Sequence, residues 1–174
     1  MTPLGHLSIS YILGNFLKKK FGKSALIAFL IGGTLPDIDF IFLPFSWFNM
    51  IHRKLTHNLF FIIIVSFVGF IMTNKQHRKI IALVFFFSGL LHLLIDSCMD
   101  SNPSNGIGIA FLWPFSDTYF SPFNILHPNI NNSGWNDPLK MLTNIAKNLI
   151  YELPFWGVML YNIAYNFRKS YSKE

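Results

Sequence analysis

Long apolar segments of this chain carry histidines and aspartates close to their ends. The set comprises His6, Asp37, Asp39, His52, His57, His92, Asp96 and Asp100. An ionisable side chain is costly near hydrocarbon and needs a strong partner there. Imidazoles and carboxylates together are the ligands that zinc-class metals prefer. The chain is therefore expected to fold so that these groups meet, with a metal site as the first interpretation.

The composition favours an integral protein of the inner or cytoplasmic membrane. Apolar residues make up 52% of the 174 residues and charged residues 13%, about half the charged fraction of an ordinary soluble domain. The length predicts a single domain over residues 1–174. The net charge is +6, but Lys and Arg occur in short clusters at segment ends. Such clusters are typical of loops at a membrane surface, so no nucleic-acid partner is expected.

The apolar pattern predicts an all-α, membrane-embedded helical bundle with one long irregular loop over the site. The predicted helices cover residues 3–17, 24–35, 58–73, 80–99 and 139–167. Ser24 is the expected N-cap of the second helix, Pro36 its stop, and Pro154 a kink in the last. The second helix is too short to cross a bilayer unaided. Residues 36–57 are predicted to be irregular, and the Gly-, Pro- and Asn-rich residues 101–138 form the long loop.

Three basic clusters indicate the topology. They cover residues 18–23, 74–79 and 168–173. If each helix crosses the membrane, all three lie on one side, which the positive-inside rule assigns to the cytoplasm. The histidines and aspartates then gather at the opposite ends of the helices. The site is therefore expected on the extracytoplasmic side.

In two pairs of the set, the spacing predicts that both side chains point the same way. His92 and Asp96 are four apart, which places both on one face of a helix, where they can share an ion. The alternative is a hydrogen-bonded pair that only holds helices together. Asp37 and Asp39 would project the same way from an extended stretch and need a cation, either a metal or Arg53. The alternative there is an ordinary helix-ending turn.

Residues 52–57 (HRKLTH) form the densest cluster. Its two histidines would not share a face of a regular helix, but a loop running into a helix can aim both inward, with Thr56 as a cap. The planar fork of Arg53 suits phosphate oxygens. The alternative is a basic loop that touches lipid headgroups. His77 is expected at the surface, and His127 is not expected to be a ligand.

These residues occur in an order that resembles the YdjM-like family of membrane-bound, metal-dependent hydrolases. The matching segments are residues 1–6 (MTPLGH), 35–39 (LPDID), 52–57 (HRKLTH), 89–96 (GLLHLLID), 106–107 (GI) and 112–115 (LWPF). The family is similar to zinc-dependent phospholipases C, which are helical. The resemblance implies zinc or another divalent transition metal. It implies as metal ligands His6, Asp39, His57, His92 and Asp96, and as catalytic residues Asp37, His52 and Arg53.

The chain departs from the family pattern in ways that leave the number of ions open. Phe40 stands where the family often has a histidine, and residues 96–113 form a longer stretch than usual. The soluble zinc enzymes also carry a late His-x-x-x-Glu pair, which Asn148 and Glu152 match only in the glutamate.

The function expected from the residues and the resemblance is metal-dependent hydrolysis of a phosphoester, in a membrane lipid or another membrane-associated substrate. One rival is a non-enzymatic membrane protein that binds or transports metal ions or protons through the same groups. Another is a structural membrane protein whose polar groups only hold helices together. The clustering of the set at one end favours the enzyme, because a relay would need polar groups across the whole bilayer.

Overall fold

Seven helical segments account for most of the chain that the computed structural model describes, namely residues 1–42, 44–45, 47–98, 108–122 and 149–171. They are α1 (Pro3–Phe21), α2 (Lys23–Thr34), the 3-10 helix η1 (Leu35–Phe42), α3 (Phe48–Ile51), α4 (Leu59–Met72), α5 (Arg78–Cys98) and α6 (Leu153–Tyr171). Within these ranges no strand forms, and the only β-type pairing is a single bridge between Ile109 and Phe120. The predicted all-α fold is confirmed.

Side-chain caps begin two of the helices. The Thr2 hydroxyl accepts from the Gly5 N–H at the start of α1, and the Asn58 side chain accepts from the Phe61 N–H at the start of α4. Two predicted caps are wrong. Gly22 occupies the N-cap of α2 in place of Ser24, and Thr56 donates its hydroxyl to the Pro36 carbonyl.

The chain does not become irregular at Pro36, as the sequence predicted. It continues from α2 into η1, because proline is tolerated in the first turn of a helix, where its missing N–H would have no partner. Together Lys23–Phe42 form a 20-residue apolar run, which spans roughly 34 Å from the rises of the two helix types. This run and the 21-residue α5 are each long and apolar enough to cross a membrane.

The helices pack as two hairpins with α6 at the side. α1 pairs with α2, α4 pairs with α5, and α2 contacts α5 to join the hairpins. α6 packs on α1, starts at the same end and also has 19 residues. The turn at Gly22, the turn at residues 73–77 and the last turn of α6 therefore share one end, here called the basic end. The described residues of the three basic clusters lie there.

Small residues lie at the closest helix contacts, and many large apolar residues are exposed on the outside. A Cβ at Gly32 would overlap the hydroxyl of Ser88, so α2 and α5 approach too closely for any larger residue. The buried Ser66 donates to the carbonyl one turn back in its own helix. Large exposed side chains include Phe16, Ile31, Phe67, Ile71 and Phe87. This arrangement is typical of helices packed in lipid, where the outer surface need not be polar.

The predicted long loop is confirmed for residues 108–122, which form no helix. They are nevertheless part of the core, because Ile109 packs with Ile62 and Leu93. The Ala110 N–H donates to the Arg53 carbonyl at 3.0 Å. The segment therefore holds the residue 52–58 turn against the bundle. Residues 101–107 and 123–138 of the predicted loop lie outside the described ranges.

The last predicted helix is confirmed over residues 153–167, but its predicted kink at Pro154 is wrong. Residues 150–152 form a turn, and α6 begins at Leu153 with Pro154 in its first turn. Proline at that position costs no hydrogen bond and starts a helix rather than bending one. Residues 139–148 lie outside the described ranges.

Candidate metal centre

Two clusters of imidazoles and carboxylates meet at the end of the bundle opposite the basic end. The inner cluster consists of His6, Asp37, His92 and Asp96. The outer cluster consists of Asp39, His52 and His57. In each cluster one possible ligand atom per residue lies within 4.8 Å of all the others, and every member is buried or nearly so. The sequence prediction that these residues meet at one site is thus matched by their positions.

Asp96 is the centre of the inner cluster. Its Oδ1 lies 2.9 Å from His6 Nε2 and 2.7 Å from the Met1 amino nitrogen. Its Oδ2 lies 3.6 Å from His92 Nε2, on the same face of α5. The His6 ring also stacks on His92 with 3.6 Å between the centroids. Packing of α1 against the bundle therefore brings His6 to the pair on α5.

A backbone carbonyl orients His92. His92 Nδ1 lies 2.9 Å from the carbonyl oxygen of Gly33, which can only accept, so Nδ1 carries the proton. The lone pair of His92 is then on Nε2, which faces Asp37 and Asp96. Metal-binding histidines are commonly oriented in this way by a carbonyl on the far nitrogen. The close approach depends on Gly33, where a Cβ would overlap the hydroxyl of Ser10.

The 3-10 helix sends Asp37 and Asp39 to different clusters. The sequence predicted an extended stretch from which both would project the same way, and this is wrong. With three residues per turn, side chains two positions apart point about 120° apart. Asp37 therefore faces His92 at 3.7 Å, whereas Asp39 faces His52 at 3.1 Å.

Three carboxylate oxygens at the site lack hydrogen bonds. Both oxygens of Asp37 and Oδ1 of Asp39 are buried and accept none from the described residues. A buried oxygen without a partner is costly, and a bound cation is one way for a protein to remove that cost. The donor set around these oxygens, imidazoles and carboxylates, suits a zinc-class ion. The residues present therefore fit the metal that the sequence predicted.

His57 links the two clusters. Its Nε2 lies 3.2 Å from His92 Nε2, 3.3 Å from Asp96 and 3.5 Å from Asp37. Its Nδ1 lies 3.6 Å from Asp39 Oδ2. Burial lowers the pKa of His57, but the interactions with Asp37 and Asp96 outweigh it and raise the pKa to about 9. His57 is therefore protonated at neutral pH when no metal is bound.

His52 is the most exposed member of the two clusters, at 12% of its side chain. Its ring stacks on Phe48 with 4.8 Å between the centroids. Burial lowers the pKa of His52, and the hydrogen bond to Asp39 only partly offsets this. The neutral form, which can bind a metal or accept a proton, therefore predominates at neutral pH.

A comparison with known proteins shows which family the chain belongs to. The YdjM inner membrane protein family matches residues 1–170. The chain belongs to this family. The inner membrane protein YbcI of Escherichia coli (strain K12) is 28% identical over 130 residues, which cover 72% of this chain and 75% of that protein. No solved structure matches the chain. The family resemblance and the membrane assignment made from the sequence are confirmed, whereas a hydrolase activity stays a prediction.

Phe40 follows Asp39, at the position where the resemblance led us to expect a histidine. Its ring meets His52 edge-on with 4.9 Å between the centroids and lies 5.5 Å from Phe48. An apolar side chain thus packs on a candidate ligand at this position. Among the described residues the outer cluster has three members.

Arg53 follows His52 of the outer cluster, and a hydrogen bond to its carbonyl fixes its backbone. It is the one described non-glycine residue in the left-handed region, with φ 65°, and only 7% of it is exposed. Its carbonyl accepts from Ala110 in the described loop. Its predicted contact with a phosphate stays a prediction.

Sequence reasoning missed the orienting groups. Glu152 is 1% exposed and accepts from the N–H and the hydroxyl of Thr2, so it fixes the start of the helix that carries His6. Thr56 lies 3.2 Å from His57 Nδ1 and donates to Pro36. The Gly32–Gly33 pair was a sequence signal for close helix packing, but Thr2 and Thr56 gave none. Asp100, His127 and Asn148 lie outside the described residues.

Proposed function

We propose that the protein binds zinc or another divalent transition metal and hydrolyses a phosphoester in a lipid or another membrane-associated substrate. The observation that carries the metal proposal is the three buried oxygens of Asp37 and Asp39 that accept no hydrogen bond from the described residues. Of these, Asp37 Oδ1 lies 3.5 Å from His57 Nε2 and 3.7 Å from His92 Nε2. A cation at these positions would satisfy them.

The proposed ligands are the five predicted from the sequence together with Asp37, which shares the inner cluster. The five are His6, Asp39, His57, His92 and Asp96. When bound, a zinc-class ion polarises a phosphoryl oxygen and lowers the pKa of water at the site to about 7. The Gly33 carbonyl keeps Nε2 of His92 unprotonated for this role.

His52 and Arg53 have roles outside the ligand set in this proposal. His52 accepts a proton from the attacking water or returns one to the leaving group, because it is neutral, partly exposed and oriented by Asp39. The guanidinium of Arg53 holds the phosphate oxygens through its planar fork. Both residues belong to the turn before α4, where His52 is the most exposed member of the two clusters.

The surroundings of His52 favour a lipid as the substrate. Phe42 and Phe45 each lie with their rings 5.2 Å from that of Trp47, and Phe45 and Trp47 are exposed. Such an aromatic group is typical of the headgroup region of a membrane. A lipid would approach along this apolar surface with its phosphate towards His52.

The interior of the bundle argues against a proton or metal relay. Among the described residues of α1, α2, α4, α5 and α6, no Asp, Glu, His, Lys or Arg lies between the clusters and the basic end. Close contacts such as that between Gly32 and Ser88 fill this region. A transport path needs polar groups across the bilayer. This observation supports hydrolysis or binding at one surface over transport.

We further propose that the clusters lie at the extracytoplasmic surface, because the basic end lies opposite them. The test uses a Cys98→Ser background with one new cysteine, either Asp117→Cys beside the clusters or His77→Cys at the basic end. A membrane-impermeant thiol reagent applied to intact cells should label the first and spare the second. The reverse pattern would contradict the proposed side.

The metal proposal is tested by elemental analysis of purified protein with His92→Ala and Asp96→Ala. The matched controls are His77→Ala and Asp117→Ala, whose side chains are exposed. Both cluster variants should lose metal and both controls should keep it. Unchanged metal content in both cluster variants would show that the proposed site is wrong.

Hydrolysis is tested separately with phosphodiester and phosphomonoester lipids. Metal-loaded protein should release product, and the release should stop in His52→Ala. If metal is bound but no lipid is hydrolysed, the non-enzymatic rival replaces the hydrolase proposal.

A further inference from the structure

A groove at the basic end of the bundle is separate from the metal clusters. It has a volume of about 330 Å³ and lies between the start of α2 and the turn that joins α4 to α5. Ser24 and Asn74 line its mouth. Ile27 and Ile31 follow on the same side, one and two helical turns further along α2, and Phe85 lines the opposite wall. The groove is therefore polar at the membrane surface and apolar towards the bilayer interior.

Among the described residues, the charged side chains next to this groove are positive. Lys23 precedes Ser24 on one wall, and Lys75 follows Asn74 on the other, both exposed. The sequence contains no Asp or Glu in residues 1–36 or 40–95. No acidic side chain of α1, α2, α4 or the start of α5 therefore competes for these lysines. Each wall of the groove therefore has an exposed lysine next to one of its lining residues.

We propose that this groove binds an anionic phospholipid of the surrounding membrane. The lipid phosphate lies between Lys23 and Lys75, and one acyl chain runs along Ile27 and Ile31. Charge complementarity selects an anionic headgroup, since basic pockets between membrane helices attract such lipids. The apolar wall selects a lipid over free phosphate, which would leave Ile27, Ile31 and Phe85 uncovered. The site is independent of the proposed hydrolysis, because it lies at the other end of the bundle.

The test counts bound lipid by native mass spectrometry on the full chain in neutral detergent. Phosphatidylglycerol should be retained at lower concentration than phosphatidylcholine. The double variant Lys23→Gln/Lys75→Gln should weaken phosphatidylglycerol binding by about tenfold or more, since one lysine near an anionic surface contributes on the order of fivefold. The matched control Arg168→Gln/Lys169→Gln removes the same charge at the same end on α6. It should weaken binding by about twofold or less.

A second variant tests the apolar half of the groove without changing charge. Ile31→Trp places a larger side chain in the groove at a position that is already 44% exposed, so the fold should tolerate it. Lipid retention should fall while the melting temperature stays the same.

Four outcomes would overturn the proposal. They are equal retention of the two lipids, equal weakening by the groove pair and the control pair, unchanged retention in Ile31→Trp, and displacement of the lipid by millimolar inorganic phosphate. The first two would indicate general attraction to a basic surface. The last two would indicate an anion site that does not use the apolar wall.

Discussion

The two candidate metal clusters are built in different ways. The inner cluster takes its residues from α1, η1 and α5, so it exists only when three separate helices pack together. The outer cluster takes all its residues from positions 39–57, one continuous stretch of chain. Side chains of the inner cluster are at most 4% exposed, whereas His52 of the outer cluster is 12% exposed.

This difference indicates a division of roles. Helix packing encloses the inner cluster and fixes its ligands from several directions, which favours tight binding and slow exchange. A local turn shapes the outer cluster and keeps His52 near the surface, which favours exchange and access for a substrate. We propose one ion in each cluster, and we expect the inner ion to matter most for stability and the outer ion most for activity. Four substitutions test this expectation.

The largest effect is expected for Asp96→Ala. The change leaves His6 and His57 without the carboxylate that lies 2.9 and 3.3 Å away. Breaking such a buried pair costs about 3–5 kcal/mol, and the inner metal should be lost. Thermal unfolding and elemental analysis measure the two effects. Asp117→Ala, at a side chain that is 77% exposed, should cost less than about 1 kcal/mol. If Asp96→Ala kept full stability and full metal content, the inner cluster would not be the one that stabilises the fold.

His57→Ala should weaken metal binding at both clusters, because one ring nitrogen faces each. We expect roughly 100-fold lower affinity, at the upper end of what removal of an orienting residue alone costs. Metal titration monitored by calorimetry should show both ions affected. His77→Ala, an exposed histidine at the basic end, should change neither. Loss of the outer ion alone would show that His57 is a ligand of the outer cluster only.

Gly33→Ala should weaken metal binding at the inner cluster by moving the Gly33 carbonyl that orients His92. The new Cβ would overlap the Ser10 hydroxyl and displace the carbonyl that orients His92. We expect a loss of about 1–3 kcal/mol in stability and about tenfold weaker binding of the inner ion. The control Gly157→Ala has open space around its Cβ and should stabilise α6 by up to about 1 kcal/mol. Equal effects of the two alanines would show that Gly33 does not position His92.

The smallest effect on stability is expected for His52→Ala. The side chain is partly exposed, so we expect a cost of about 1 kcal/mol. The hydrolysis should be lost and the outer ion should bind about tenfold more weakly, because His52 orients the proposed ligand Asp39. The inner ion should stay, which metal titration and a lipid assay will show. Lys54→Gln in the same turn removes a surface ion pair with Asp117 and should leave both ions in place. Loss of both ions in His52→Ala would show that the two clusters form a single metal site.

The sequence predicted the helices and the end where the clusters meet, because both depend on residue types that are visible in the chain. Apolar runs define the helices, and the basic turns define the opposite end. The path of η1 was not predictable, since a proline after a helix usually marks its end and the 3-10 continuation rests on few hydrogen bonds. The separation of Asp37 from Asp39 follows from that path and was missed with it.

The groups that orient the ligands were harder to predict for a different reason. The carbonyl of Gly33 carries no side-chain signal, so only the packing of α2 against α5 reveals its partner. Glu152 was noticed for its spacing to Asn148, but its actual partner Thr2 is 150 positions away in the chain. Contacts of such separation depend on how the last helix docks, which local patterns do not encode.

The bond between Thr2 and Glu152 sets an order for biogenesis. Synthesis runs from the N-terminus, so α1 is made long before residue 152. The start of α1 receives the carboxylate of Glu152 only when the last helix arrives, and His6 lies one turn further on. Metal is therefore expected to enter the inner cluster after translation is almost complete. Ribosome-arrested chains that stop before residue 152 should carry less of the inner metal than chains that extend beyond α6.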